Sequence, residues 1–352
     1  MTGGEQTSSR KLEHLRICCE SVVEAGDPLL GEVHLVHCAL PECDMDGIDL
    51  RCRFLDRVLG SPLFIAAMTG GHPGTTEVNR RLGRAAERFG LGMGVGSQRA
   101  ALEDPRLEES FRVVREEAPH AFLVANLGVV QLRDHGIEWA ERAVEMIDAQ
   151  AIAIHLNFLQ EAIQHEGDHD ATGCLDAVRD LVREIRTPVI VKETGCGISK
   201  EIARTLAGAG VAAIDVGGAG GTSWAAVERN RTDDPALTTL GDRFAQWGIP
   251  TAVSLMEVAR TGIPSIATGG LRSGIDIARC IALGATAGGM ALPLLTPAME
   301  SQDALDGIIR QIHRELQAAM FLTGCPDMAR LRAAPVYTTG ALGEYTRDEQ
   351  EF

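Results

Sequence analysis

The sequence predicts an α/β protein built as one (β/α)8 TIM barrel, and three observations carry that expectation. Eight short apolar runs recur between residues 62 and 291, each ending in glycine or polar residues. The stretches between them carry amphipathic periodicity, as in "EVNRRLGRAAERFG" and "RSGIDIARCIALGA". No linker-like break separates the units, which favours closure of one barrel over two domains. A doubly wound sheet fits some of these units but not eight uninterrupted strands. At 352 residues, 45% hydrophobic, the chain can bury a core of that size.

In chain order the runs are "PLFIAAMTGG", "GLGMGVGSQR", "AFLVANLG", "AIAIHLN", "PVIVKETG", "AAIDVGGAGG", "PSIATGG" and "ATAGGMA". They define a barrel over residues 61–335. Residues 1–60 hold a charged, helix-like start and an apolar segment at Val33–Cys38, expected to cap one mouth. A long insertion, 221–248, follows the sixth strand, and loops of that length are usually functional or mobile. The tail, 336–352, is expected to be loosely attached from Gly340 or to touch a neighbouring subunit.

The net charge of −16 argues against a broad nucleic-acid or anionic-membrane surface. A small anion remains open, because a few local basic groups outweigh the global sign. No apolar run approaches the roughly 20 residues of a membrane span, and the N-terminus lacks a signal-peptide core. The nine cysteines include no C-x-x-C pair, so neither a zinc site nor a disulfide framework is expected. A cytoplasmic protein with reduced thiols is the resulting expectation.

In such barrels chemistry gathers where strands end. Those ends hold Thr69, Ser97 with Gln98 and Arg99, Asn126, His155 with Asn157, Lys192, the Gly217–Trp224 stretch, and Gly269-Gly270. Alternation along the fourth strand places Ala153, His155 and Asn157 on one face, lining the mouth or satisfied as polar core groups. The turns "GGAGG" and "TGGLRSG" follow strands six and seven, where these barrels commonly cradle phosphate; tight turns needing positive φ are the plainer account. Lys192 could form a Schiff base, pair with an anion or hold a cofactor. With the phosphate turns, a flavin mononucleotide fits, and "AAMTGG", with Ala67, Met68 and Thr69, would let a flat ring approach. Arg10, Lys11 and His14 share one side of a helix and, with Arg99, could clamp a diphosphate; a solvated charged helix is the alternative. Glu161 suits Mg²⁺ bridged to such a diphosphate. Glu166, Asp168 and Asp170 read as a solvated acidic loop, and Cys196 as a small filler.

Taken in order, "RKxxH", "MTGG", "GSQR", "HLNxLQE" with "EGD" beyond it, "KETGCGIS", "GGAGGTSW" and "ATGGLRSG" resemble the type 2 isopentenyl-diphosphate isomerases from about Arg10 to Leu295. The resemblance implies FMN, Mg²⁺, a reduced flavin supplied by NADPH, and a homo-oligomer (tetramer or octamer). It puts Arg10, Lys11, His14, Arg99, His155 and Asn157 on the substrate diphosphate, Gln160 by the hydrocarbon, Glu161 on the metal and Trp224 on the apolar wall. Gln160 and His155 are the catalytic candidates. The flavin would be held by Ala67, Met68, Thr69, Ser97, Asn126, Lys192, Thr222, Gly269, Gly270, Arg272, Ala291 and Leu292. The family usually has proline where this chain has His165, and the extension before Arg10 looks dispensable.

Moving a double bond needs one proton added and another removed. The only candidate near the hydrocarbon is Gln160, an amide that does not titrate. The polar cluster is therefore expected to bind diphosphate and metal, leaving the proton chemistry to the reduced flavin at N5. An FMN-dependent 2-hydroxy-acid oxidase on the same barrel is the alternative, but the position after strand six lacks the His and Arg that chemistry uses. A non-catalytic flavin-binding barrel is the third reading.

Overall fold

The computed structural model describes residues 3–348, with side chains from Arg10 to Arg347. The eight expected runs form β1 (Leu63–Ile65), β2 (Gly92–Gly94), β3 (Phe122–Gly128), β4 (Ala151–Leu156), β5 (Val189–Glu193), β6 (Ala213–Asp215), β7 (Ser265–Ala267) and β8 (Ala287–Met290). They pair in parallel and close into a barrel, β8 meeting β1 through Gly288↔Leu63, Gly289↔Phe64 and Met290↔Ile65. Several strands are glycine-rich because large neighbours fill the space: a Cβ at Gly92 would lie 2.2 Å from the Phe64 ring.

Residues before the barrel do more than cap one mouth. The helix Gly3–Glu20 packs on the helices Arg99–Glu103, Trp224–Arg229 and Leu292–Glu300, all at the C-terminal mouth. The hairpin Cys52–Phe54/Arg57–Leu59 seals the opposite end, where the Phe54 ring meets Phe64 and Phe122 edge-on at 5.9 and 5.6 Å. Val33–Cys38 covers neither mouth. Its first three residues pair antiparallel with Val336–Thr338, against the outer helix Gly274–Ala282. Residues 1 and 2, and the side chains of 3–9, lie outside the described residues, and so does the expectation about the extension before Arg10.

The tail is docked rather than loose. The helix Gly340–Asp348 buries Leu342 completely; the Leu342 N–H donates to Glu32 Oε2 at 2.6 Å, and the Tyr345 hydroxyl to Glu257 Oε1 at 2.5 Å. Leu342→Ala is expected to cost about 2–4 kcal/mol of stability, the usual range for a buried leucine. A urea midpoint equal to the unmodified protein's would contradict that.

The insertion is likewise ordered. It forms the helices Trp224–Arg229, capped by the Ser223 side chain, and Pro235–Phe244, capped by Asp234 with proline at its first turn. All nine cysteines are unpaired, and among the described residues no helix is long and apolar enough to cross a membrane.

Candidate active site

The C-terminal mouth of the barrel holds two adjoining clefts, with Lys11, His14, Ala67, Met68, Lys192, Thr194 and Trp224 between them. Thr69, Gly217, Gly218, Gly221, Thr222, the Thr268–Arg272 turn, Ala291 and Leu292 line the first. The second is lined by Arg10, Ser97, Arg99, Asn126, His155, Asn157, Gln160 and Glu161. Of the residues expected to hold a flavin, Ser97 and Asn126 therefore face the second, polar cleft.

The first cleft is a cradle of bare backbone. Gly269 (φ +105°) and Gly270 (φ +81°) adopt conformations that side chains disfavour, and a Cβ on Gly269 would lie 2.0 Å from Gly218 O. The Thr69 hydroxyl is buried beside this cradle with no hydrogen-bonding partner among the described residues. An orphaned donor and a phosphate-sized glycine turn fit a flavin mononucleotide. One wall is set by a residue the sequence did not single out. Glu193 Oε2 accepts from the backbone N–H groups of Thr194 and Gly195, both at 2.6 Å, and of Cys196 and Gly197. Burial pushes its carboxyl up to about 7 in spite of those donors. Cys196 is pushed up to about 12 by burial and by Glu193, so it is not a thiolate.

In the second cleft hydrogen bonds determine which atoms face the ligand. Asn126 Nδ2 donates to Val95 O at 3.0 Å, so its Oδ1 points at His155 Nδ1, 2.9 Å away. His155 therefore carries its proton on Nδ1 and presents the Nε2 lone pair. Burial, then the charges of Lys192 and Lys11, lower its pKa to about 3. The structure brings His155 to the expected cleft as a neutral acceptor. Glu161 is held similarly: Oε1 accepts from Asn157 Nδ2 at 2.8 Å, and Oε2 from the Asp168 N–H at 2.9 Å. Gly167 lets that loop fold tightly, since a Cβ there would sit 1.9 Å from Glu161 O. His165 is exposed in the same turn.

Three clusters differ from the sequence expectation. Glu166 is no free acid; it pairs with Arg10 at 3.3 Å and with Arg231. Asp168 and Asp170 both lie beside Arg133. Glu228, only 2% exposed, was not foreseen at all. Its Oε1 accepts from Gln160 Nε2 at 2.8 Å and lies 3.0 Å from His14 Nε2, while Oε2 pairs with Arg231. Burial alone would raise this carboxyl, but His14, Gln160 and Arg231 together hold it below its ordinary value. His14 stacks edge-on against Trp224, centroids 5.1 Å apart, so it serves the wall and Glu228 more directly than an anion.

A glycine cradle beside a cationic cleft, both at the C-terminal mouth, marks a phosphate-binding barrel of the flavoprotein kind. A family model described as FMN-dependent dehydrogenase matches residues 138–338, which places the chain in that class. More narrowly, the chain belongs to the isopentenyl-diphosphate delta-isomerase family. It is 66% identical to the Methanoregula boonei protein of that name over 95% of this chain and 94% of the relative. It is 52% identical to the Archaeoglobus fulgidus protein, over 96% of this chain and 98% of the relative. Among solved structures, a mandelate oxidase with an FMN adduct aligns with a TM-score of 0.64 at 18% identity, covering 96% of this chain and 99% of that one. At that identity the likeness speaks for the barrel fold alone.

Proposed function

We propose that the chain interconverts isopentenyl and dimethylallyl diphosphate, using FMN in its reduced state and Mg²⁺. One observation carries the reading: the glycine cradle and the cationic cleft share a wall, so a flavin ring and an alkenyl diphosphate would lie side by side. The oxidase alternative is weaker, since the segment after β6 reads "GGAGGTSW" and offers neither a His base nor an Arg for a carboxylate.

Arg10, Lys11 and Arg99 supply the positive charge that binds the diphosphate. Glu161, which lines the same cleft, would hold a Mg²⁺ that completes its shell with water and substrate oxygens. Gly269, Gly270, Thr222 and Arg272 would hold the flavin phosphate, with Thr69, Ala67, Met68 and Lys192 at the ring. Reduced FMN, when bound, would supply the acid–base chemistry that this chain's own residues lack. Gln160, held by Glu228 and 3.3 Å from Asn157 Nδ2 through its Oε1, orients the reacting end without titrating. Trp224 and Leu295 keep water from that end. NADPH as electron donor, cytoplasmic location and a tetrameric or octameric assembly complete the reading.

The deciding experiment is anaerobic. Protein, FMN, dithionite, Mg²⁺ and isopentenyl diphosphate are combined in D₂O, and NMR follows dimethylallyl diphosphate and deuterium entry. Product only with reduced flavin is the expected result; tight FMN binding without product would sink the proposal.

The diphosphate cleft should also be pH-dependent. Burial, then Arg10 and Arg99, pull the half-buried Lys11 amine down to about 7. The diphosphate favours the ammonium form, which dominates below that value and is lost above it. Affinity for isopentenyl diphosphate should therefore fall as pH rises through 7, by up to about tenfold per unit, the limit for one linked proton. The Lys11→Met profile isolates this from the titration of the substrate itself. An identical slope in both proteins would refute the assignment.

A further inference from the structure

Residues 21–28 leave the N-terminal helix and run across the glycine cradle as a strap. Glu24 bridges Thr222 in an antiparallel register; Ala25 N–H donates to Gly221 O at 3.2 Å and Ser223 N–H to Val23 O at 2.8 Å. Pro28 closes the strap against bare backbone, where a Cβ on Gly220 would approach its nitrogen to 2.2 Å. This register puts the Glu24 carboxylate on Arg272, with Oε1 and Nη2 in contact. The other group on that guanidinium is the Leu271 carbonyl, 2.7 Å from Nη1, whereas Asp276 engages the Arg272 backbone N–H instead. Both members of the pair remain partly open, at 38% and 41% exposure.

We propose that Glu24 stands in for the flavin phosphate on Arg272, so that the phosphate must take the arginine from it and Glu24 sets the affinity for phosphate-bearing flavin. The inference rests on the reading that places the FMN phosphate in this cradle. A guanidinium offers one fork, and a carboxylate and a phosphate compete for it. In the protein without cofactor the pairing satisfies a partly buried cation. On loading, the phosphate replaces the carboxylate and also meets its repulsion. Riboflavin, which lacks the phosphate, leaves the pair intact. Glu24 thus weakens FMN binding selectively, and its effect requires Arg272. The strap stays in place meanwhile, because its attachments to residues 221–223 are backbone to backbone.

The test measures dissociation constants of FMN and riboflavin by flavin fluorescence for the full chain, Glu24→Gln, Arg272→Met and the double variant. Glu24→Gln is expected to bind FMN about two- to fivefold more tightly, the scale of a partly exposed ion pair, with riboflavin unchanged. Arg272→Met should weaken FMN, and Glu24→Gln should then lose most of its effect. Unchanged or weaker FMN binding in Glu24→Gln, with Arg272→Met still impaired, would overturn the proposal and make Glu24 a support for the arginine. If Arg272→Met bound FMN normally, the phosphate assignment itself would fall and the proposal with it.

Discussion

Glu228→Gln is expected to lower kcat by about 10²-fold, the scale of a misplaced positioning group, while FMN affinity and KM change only a few-fold. The expectation follows from what an ionised carboxylate can do. It only accepts hydrogen bonds, so Gln160 must turn its Nε2 toward Glu228, 2.8 Å away, leaving Oε1 to Asn157. A glutamine in that place donates as readily as it accepts, and the Gln160 amide loses its fixed direction. His14 loses the carboxylate charge 3.0 Å from its Nε2 in the same change, beside the Trp224 ring it packs on. Arg231 is not orphaned, because Glu166 and Glu13 still hold it. The variant should therefore fold, and near-native melting with a collapsed kcat is the signature of lost orientation. A normal kcat accompanied by a lower melting temperature would mean that Glu228 only holds the helix Trp224–Arg229 in place.

Glu228 also illustrates what the sequence could and could not convey. The eight strands were legible because each is a short apolar run with a polar end, and closure into a barrel needs only their number and order. Strand-end residues such as His155, Lys192 and Gly269 were legible for the same reason: they sit at fixed offsets from a strand. Glu228 lies in an insertion, and beyond Arg231, three residues on, its partners come from residues 14 and 160, which no local period connects to it. One signal was available, since Glu228 stands four residues after Trp224 and so shares its helical face, with buried Ala225, Ala226 and Val227 between the two. The ion pairs of Glu166 were hidden similarly: "HEGDHD" reads as solvated acid until Arg10 and Arg231 are brought over it. The docked tail escaped because its strand is three residues long, too short for an alternation pattern, and its partner lies at the other end of the chain.

The largest effect on the cofactor is expected at Gly269. A Cβ there would lie 2.0 Å from Gly218 O and 2.7 Å from Thr251 Oγ1, at a φ of +105°. Neither neighbour can withdraw cheaply. The Gly218 N–H donates to Thr268 O at 2.9 Å, and the Thr251 hydroxyl donates to Gly269 O at 2.6 Å, so the turn is tied on both sides. Gly269→Ala should therefore reshape the cradle and lower FMN affinity by at least about 100-fold, beyond the roughly 1–3 kcal/mol of backbone strain alone. Gly262 provides the comparison that separates those two costs. It too has a positive φ, +73°, but nothing lies within 4 Å of a Cβ there, on the far side of the barrel from the mouth. Gly262→Ala should lower the melting temperature through strain and leave FMN binding unchanged. If Gly269→Ala bound FMN as well as Gly262→Ala does, the flavin phosphate would have to lie elsewhere.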